Sequence, residues 1–307
     1  MNTLRITTLV DNTAGGRALL AEHGFSLWIE HNNKNILFDT GQGYVLKGNA
    51  KLLNIDLKDA DGIVLSHGHY DHTGGLSKLD NLEETTIFTH ENSLLPKYSR
   101  HLDGSVHEAG MTSPDSKKLK FKFNDKPVEL HKGFHLTGVI PRITDFEDTG
   151  GQFFTDKECQ KVDNLIDDQA AFIETRAGLF VILGCAHSGV INTLEYISKL
   201  TGLRTIHTLV GGMHLGSASE ERMDKTVGAL KKFEVQSFYP THCTGFNANV
   251  RLLQEFPKGC KTCRVGTIIE ILKSKPYGIG GKSANQLTKG YIRKFFHDSG
   301  ENYEKKY

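Results

Sequence analysis

The sequence predicts an α/β protein in which two β-sheets pack face to face and carry helices on their outer surfaces. The first half is rich in short β-type segments joined by glycine-rich turns, and the second half alternates such segments with helical ones. A polar, weakly periodic region near 93–125 separates the two halves. Segments of both kinds bury their apolar faces well in stacked sheets covered by helices.

The elements of the first half are predicted from runs of β-branched and aromatic residues and from turn residues between them. A hairpin is indicated where two such runs flank the polar turn HNNK, and apolar residues at helical spacing predict one helix. In chain order, the predicted elements are strand Leu4–Val10, hairpin strands Phe25–Glu30 and Asn35–Asp39, helix Tyr44–Leu53, and strands Asp61–Ser66 and Thr85–His90.

The second half repeats a pattern of strand followed by helix. Ser219 is a typical N-cap residue in front of a helical pattern, and TRAG separates two apolar runs as a hairpin turn would. In chain order, the predicted elements are strand-forming Val128–Ile140, hairpin strands Ala170–Glu174 and Leu179–Leu183, helix Val190–Leu200, strand Thr205–Val210, helix Ser219–Phe233, and strands Gln236–Tyr239 and Val265–Ile271.

We expect one domain over residues 1–272 of the 307, with an insertion or long loop at about 93–125. Residues 273–307 are rich in lysine and glycine and show little apolar periodicity, so they are expected to form a peripheral C-terminal tail. Such a tail could pack on a partner subunit, which would make the protein a homo-oligomer.

Charge and cysteine content narrow the classes of partner. The chain carries 37 basic and 36 acidic side chains, a net charge of +1, which gives no electrostatic case for nucleic acid or a membrane surface. The sequence shows no apolar stretch long enough for a signal peptide or a membrane span, and its five cysteines do not resemble a disulfide framework. We therefore expect a cytoplasmic protein acting on a small molecule.

Four potential metal ligands lie within six residues directly after the predicted strand Asp61–Ser66. The run reads SHGHYDHTGG over residues 66–75. Alternate residues of an extended chain point the same way, so His67, His69 and Asp71 are expected to converge, with His72 on the following turn. Imidazole and carboxylate ligands suit zinc, with manganese or iron as alternatives, and leave positions open for water.

This run resembles the H-x-H-x-D-H signature of the metallo-β-lactamase superfamily, and Ile36–Gly41 (ILFDTG) resembles the turn that precedes the signature there. Softer motifs, including GCAHSG at 184–189, GGMHL at 211–215 and THCTG at 241–245, are similar to the branch of 7,8-dihydropterin-6-methyl-4-(β-D-ribofuranosyl)aminobenzene-5′-phosphate synthase-like proteins. The resemblance implies an αββα four-layer sandwich with one or two metal ions at an edge between the sheets.

The resemblance also implies a distribution of ligands. One ion would take His67 and His69, and the other would take Asp71 and His72. His187 and His242 match the later ligand motifs, because each follows an apolar strand and lies beside or near glycine. Asp39 is expected to accept a hydrogen bond from a ligand histidine rather than to bind metal itself.

One departure from the superfamily concerns the ligand between the ions. Many members carry a Gly-Asp whose carboxylate bridges two metals, but here strand Leu179–Leu183 and Gly184 are followed by Cys185 and no acid. Cys185 could bind as a thiolate or fill space as a small buried hydrophobe, and the second interpretation is slightly favoured. The number of ions and their identity therefore stay open.

Two further assignments complete the predicted site. His214 follows a strand and is a ligand, a donor to the substrate or a structural histidine, with equal weight. If it is a donor, His214 and Asp71 are the catalytic pair, with Asp71 orienting the water. The resemblance alone implies that Asp11, Asn12 and His23 lie at the rim of the pocket and contact substrate, since by residue type each would more often be a solvated turn residue.

The leading functional prediction is a hydrolase that uses metal-activated water on a phosphoester or phosphorylated small molecule. The first alternative is a transferase that joins a pterin to an aminobenzene ribofuranosyl phosphate. A di-iron redox protein and a non-catalytic metal-binding protein are further alternatives. The missing bridging carboxylate disfavours the former, and the intact ligand spacing disfavours the latter.

Overall fold

Two large β-sheets form the centre of the fold in this computed structural model, which describes residues 4–271 apart from 81, 102, 112–117 and 176. Within these residues the first sheet has seven strands. From one edge to the other they are β16 (Ile268–Ile271), β1 (Leu4–Val10), β2 (Ser26–His31), β3 (Lys34–Phe38), β4 (Gly62–Val64), β5 (Thr86–Thr89) and β8 (Lys120–Phe123).

The second sheet has six strands among the described residues, and a small third sheet has three. The second sheet runs β15 (Ser237–Pro240), β14 (Ile206–Gly211), β13 (Gly178–Ile182), β12 (Ala171–Thr175), β10 (Phe134–Leu136) and β9 (Val128–His131). The third sheet runs β11 (Gln152–Phe154), β6 (Tyr98–Arg100) and β7 (Val106–Glu108).

Helices cover the outer faces of both large sheets. They are α1 (Leu46–Leu52), α2 (Tyr70–Thr73), α3 (Val190–Thr201), α4 (Glu220–Lys232) and α5 (Phe246–Glu255). One apolar cluster lies between the two sheets, a second packs α1 on the first sheet, and a third packs α3, α4 and α5 on the second sheet. This order of layers confirms the predicted αββα sandwich.

The parallel strands of each sheet end at the same edge of the molecule. In the first sheet β3, β4 and β5 are parallel, and in the second sheet β13, β14 and β15 are parallel. The segments that follow these strands carry most of the predicted metal ligands. The sheet topology therefore brings together residues that are far apart in sequence.

Local signals account for most of the element boundaries. In the β2–β3 hairpin, Asn32 and Asn33 both adopt positive φ angles of 53° and 60°, which is the geometry of a type I′ turn. At the start of α4, the Ser219 side chain accepts a hydrogen bond from the backbone N–H of Arg222, as predicted for an N-cap. Helix α5 and strand β11 were not predicted from the sequence.

The region at about 93–125, expected to be an insertion or long loop, contains strands β6, β7 and β8. Strand β8 pairs with β5 in parallel and forms an edge of the first sheet. Its exposed edge position explains the polar sequence that favoured a loop. The predicted tail, 273–307, lies outside the described residues, and none of the described helices is both long and apolar enough to span a membrane.

Candidate metal centre

The SHGHYDH segment changes direction between its histidines. His67 and His69 lie in the loop after β4, whereas Asp71 and His72 lie in the short helix α2, which begins at Tyr70. The helix turns Asp71 away from the direction expected for an extended chain, so the three alternate residues do not converge on one point. Asp71 instead joins His72, and the segment contributes to two groups of side chains.

The first group, here called the imidazole set, consists of His67, His69 and His187. Nε2 of His67 lies 2.9 Å from Nδ1 of His69. The His187 ring centroid lies 4.7 Å from that of His67 and 4.9 Å from that of His69. All three side chains are buried. Strand β13 of the second sheet thus delivers His187 to a pair supplied by the first sheet.

The second group, here called the carboxylate set, consists of Asp71, His72 and His242. Nε2 of His72 and Nε2 of His242 are 3.2 Å apart, and Oδ2 of Asp71 lies 3.7 Å and 3.3 Å from them. The half-exposed His23, expected at the pocket rim, also lies close, with its Nε2 3.2 Å from Oδ2 of Asp71. Three potential ligand atoms therefore surround one point.

Both sets have the spacing and chemistry of a metal site. Ligands in tetrahedral contact with zinc at about 2.0–2.1 Å lie roughly 3.3 Å from one another, close to the separations found here. In the imidazole set, Nε2 of His187 is buried without a hydrogen-bonding partner, whereas His69 faces His67 through Nδ1. A buried nitrogen of this kind is costly unless something binds it. The residues present fit one divalent ion at each set.

Burial keeps the imidazole set uncharged. Burial and the neighbouring histidines hold the pKa of His67 well below its usual value, and burial lowers the pKa of His69 to about 3. Burial likewise holds the pKa of His187 well below the ordinary range. Neutral imidazole is the form that binds metal, so this set needs no deprotonation at neutral pH.

The carboxylate set has the opposite electrostatics. Burial opposes the charge of His72, but Asp71 and Asp39 outweigh it and raise the His72 pKa to about 9. Burial also favours neutral Asp71, yet His72, His23 and His242 outweigh it and hold the Asp71 pKa well below its usual range. The set therefore contains an anion and a compensating proton that an incoming cation can replace.

Comparisons with known proteins agree with this geometry. The family model of the metallo-β-lactamase superfamily matches residues 20–155. The chain is 32% identical over 288 residues to the 7,8-dihydropterin-6-methyl-4-(β-D-ribofuranosyl)-aminobenzene-5′-phosphate synthase of Methanocaldococcus jannaschii, covering 88% of this chain and 97% of that one. The chain belongs to the metallo-β-lactamase superfamily.

Three further proteins are similar to this chain in sequence or in fold. An uncharacterized protein of Methanocaldococcus jannaschii is 35% identical over 258 residues, covering 81% of this chain and 94% of that one. The crystal structure of Tm1679, a metal-dependent hydrolase of the β-lactamase superfamily, is 31% identical and matches with a TM-score of 0.77 over 88% of this chain and all of that one. Zn²⁺-bound PqqB from Methylobacterium extorquens shares the fold, with a TM-score of 0.53 at 12% identity over 87% of this chain and all of that one.

Cys185 occupies the space between the two sets of this superfamily centre. Its Sγ lies 3.1 Å from Nε2 of His72. Potential ligand atoms of Cys185, His67 and His187 lie within 4.8 Å of one another, and so do those of Cys185, His72 and His242. The side chain is 3% exposed, and burial raises the pKa of its thiol well above the ordinary value.

Hydrogen bonds behind the ligands fix their orientation. Oδ2 of Asp39 lies 2.7 Å from Nδ1 of His72, and the same carboxylate accepts bonds of 2.7 Å from the backbone N–H and the hydroxyl of Ser66. Nδ1 of His187 lies 2.7 Å from the Thr149 carbonyl oxygen, so it donates there and leaves Nε2 for a metal. Asp39 thus supports a ligand, as expected from the sequence.

Asp11 and Asn12 hold His242 in place. Asp11 is buried and accepts hydrogen bonds from the backbone N–H of His242, at 2.9 Å, and from the Thr241 hydroxyl. Oδ1 of Asn12 lies 2.8 Å from Nδ1 of His242. The structure therefore places both residues against the ligand His242, with Asp11 buried and Asn12 exposed beside His23.

His214 lies beside the imidazole set, with its ring centroid 4.4 Å from that of His187. A Cβ at Gly150 would come within 1.9 Å of Nδ1 of His214, so only glycine allows the preceding loop to pass this ring. Phe153 of β11 closes the same side, with its ring centroid 4.9 Å from that of His69 and 5.2 Å from that of His187. The small third sheet thus forms an apolar wall of the centre.

A buried ion-pair network behind Gly68 was missed in the sequence. Nζ of Lys97, which is fully buried, donates to Asp163 at 2.8 Å and to Asp167 at 3.0 Å. Asp167 also accepts a 2.8 Å bond from the backbone N–H of Gly68, between the two histidines. The available signal was a pair of acids, Asp167 and Asp168, directly before an apolar strand.

Proposed function

We propose that the protein is a metal-dependent hydrolase that acts on a small phosphorylated substrate, with zinc as its metal. The observation that carries the proposal is the pair of adjacent ligand sets, each surrounding one point at the meeting edge of two sheets. A divalent ion lowers the pKa of water to roughly 7 and polarises a phosphoryl or carbonyl oxygen. His67, His69 and His187 would hold one ion, and Asp71, His72 and His242 would hold the other.

The protein supplies a catalytic group beside each set. Oδ2 of Asp71 lies 3.7 Å from Nε2 of His72 and 3.3 Å from Nε2 of His242, where the carboxylate would bind metal and orient the attacking water. His214 is the proposed donor to the leaving group. Burial lowers its pKa, so at neutral pH the ring is uncharged and donates through a ring N–H.

The organic part of the substrate is assigned to a cavity of about 250 Å³ next to the carboxylate set. Tyr70, which precedes Asp71, forms part of its wall, and its ring centroid lies 6.5 Å from that of His23. The cavity is lined by Gln42, Tyr44, Tyr70, Gly74, Glu108 and Gly110. Two phenol rings and a carboxylate suit a flat ring that carries hydrogen-bond donors.

A second candidate is a synthase, in which an aromatic amine takes the place of water as the nucleophile. Its support is the 32% identity to the archaeal dihydropterin synthase and the aromatic lining of the cavity.

The two candidates are separated by the product. The zinc-loaded protein is incubated with phosphodiesters, phosphomonoesters, lactones and thioesters in ¹⁸O-labelled water, and separately with an aromatic amine and a phosphorylated partner. A hydrolase places one labelled oxygen in its product. Formation of a carbon–nitrogen bond without label would replace the hydrolase proposal with the synthase.

We place the reaction in the cytoplasm. All five cysteines are free thiols in the structure, which supports a reducing compartment. Fractionation of the producing cells would test this assignment, and recovery of the protein with the cell exterior would contradict it.

A further inference from the structure

The two ligand sets share a neighbour that neither of them contains. Cys185 follows β13 and Gly184, and its Sγ lies within 4.8 Å of potential ligand atoms in both sets. In the carboxylate set, Sγ lies 3.1 Å from Nε2 of His72. In the other direction lies His187, whose Nε2 is buried without a partner. The sulfur therefore stands where one atom can contact an ion in each set.

No carboxylate among the described residues takes this position. Asp71 belongs to the carboxylate set alone. Both oxygens of Asp39 are occupied, by Ser66 and by Nδ1 of His72. Asp168 lies near Cys185 and directs Oδ2 to the backbone N–H of Ser188, at 2.8 Å. Its Oδ1 is buried without a hydrogen-bonding partner, but Asp168 belongs to none of the groups of close ligand atoms found among the described residues. Many superfamily members have a carboxylate that bridges the two ions, and no described carboxylate takes that role here.

We propose that Cys185 is a metal ligand shared by the two sets, which joins them into one thiolate-bridged centre. The inference rests on the proposed function, because it requires a metal at each set. On binding, the thiol gives its proton to solvent and the sulfur donates lone pairs to the ions, with no oxidation or reduction. A bridging thiolate selects borderline or soft ions such as zinc, and it disfavours manganese.

A second thiol provides a matched control. Cys243 follows the ligand His242, and its ligand atom lies within 4.8 Å of those of Cys185 and His214. Its Sγ donates to the Cys185 carbonyl oxygen at 3.7 Å. Unlike Cys185, it joins neither the His67–His187 group nor the His72–His242 group. The two cysteines lie in the same region, but we expect only Cys185 to bind the ions.

The test uses the full chain loaded with Co²⁺, whose bond to a thiolate gives an intense near-ultraviolet charge-transfer band. Wild-type protein should bind about two equivalents of Co²⁺ and show the band as both are added. Cys185→Ser should lose the band and at least one equivalent. Cys185→Asp should restore both equivalents without the band, because a carboxylate can bridge. Cys243→Ser should keep the band and both equivalents.

Zinc K-edge absorption on the unmodified protein covers the case in which a Cys185 variant does not fold. We expect a sulfur neighbour at about 2.3 Å from zinc, in addition to nitrogen and oxygen at about 2.0–2.1 Å. Two bound ions without any sulfur contact would overturn the thiolate bridge and leave the hydrolase proposal standing. A band lost in Cys243→Ser but kept in Cys185→Ser would also overturn it. Failure of the wild-type chain to bind metal would refute the proposed function itself.

Discussion

The imidazole set and the carboxylate set are neighbours, yet their electrostatics differ. The first consists of buried neutral histidines, whereas the second holds an ionised Asp71 beside a His72 whose pKa is raised to about 9. Their supports differ in the same way, because a backbone carbonyl orients His187 and a carboxylate orients His72. Histidines of one short segment thus differ in charge because different groups surround them: mainly other histidines in the imidazole set, and carboxylates in the carboxylate set.

The largest expected effect comes from removing one ligand from each set. His187→Ala should lose the ion of the imidazole set, and His242→Ala should lose the ion of the carboxylate set. Either variant should lower turnover by at least about 10³-fold, since a metal contributes several kcal/mol to charge stabilisation. Elemental analysis and kinetics check this, with the exposed His101→Ala as control. Full activity in either variant would contradict the claim that each set holds an ion needed for turnover.

The next effect concerns the network behind the imidazole set. Lys97→Met leaves Asp163 and Asp167 buried without a cation, which should lower the free energy of unfolding by about 3–5 kcal/mol. It should also weaken zinc binding, because Asp167 fixes the backbone of Gly68 between His67 and His69. Urea unfolding and zinc titration measure the two effects.

The control for Lys97 is Lys34→Met, which removes an exposed ion pair with Asp61 at 2.6 Å. An exposed pair contributes less than about 1 kcal/mol. Equal losses of stability in the two variants would show that the buried network has no special role.

A smaller effect is expected behind the carboxylate set. Asp39→Asn keeps the shape of the side chain but removes the charge that faces His72. Loss of such a supporting carboxylate lowers metal affinity by about 10- to 100-fold. Competition with a chelator measures the affinity, and Asp80→Asn, which removes an exposed carboxylate paired with Lys47, serves as control. An unchanged metal affinity in Asp39→Asn would show that the Asp39 carboxylate does not strengthen metal binding at the carboxylate set.

The smallest effect tests whether burial alone depresses a histidine pKa away from the centre. At the far end of β2, burial together with His131 and His135 lowers the pKa of His31 to about 4. Between pH 6.5 and 4 the unfolded chain binds this proton and the folded chain does not, so stability falls as pH falls. His31→Gln should remove about 1–2 kcal/mol of that loss at pH 5. Parallel unfolding curves for wild type, His31→Gln and His101→Gln would decide it, and identical pH dependence in all three would contradict the assignment.

The sequence predicted the layers because they depend on local periodicity, and it predicted the ligand-bearing segments because they follow apolar strands. The resemblance implied that His67 and His69 separate from Asp71 and His72, but residue spacing alone led us to expect Asp71 to converge with His67 and His69. Helix α2 turns Asp71 away from His67 and His69. Several other site residues adopt backbone angles that their residue types do not favour, so the sequence gives no sign of them. Asp39, Ala186, His214 and His242 all adopt positive φ angles between 45° and 57°, a strained conformation that tertiary contacts must hold.

The long-range partners were also beyond local reasoning. Lys97 and Asp167 are 70 residues apart, and the acids before the apolar strand do not indicate which cation pairs with them. On residue type alone Asp11 and Asn12 resemble solvated turn residues, yet they contact His242 some 230 residues later. Such contacts arise when the two sheets pack together, and the sequence of a single segment does not show which other segment it will meet.

The most direct test is anomalous diffraction from crystals of the full chain grown with zinc. Two peaks are expected, one among His67, His69 and His187 and one among Asp71, His72 and His242, each about 2.0–2.3 Å from its ligand atoms. Absence of density at both positions, or rings turned toward solvent with no shared ion, would contradict the metal centre on which the proposed function depends.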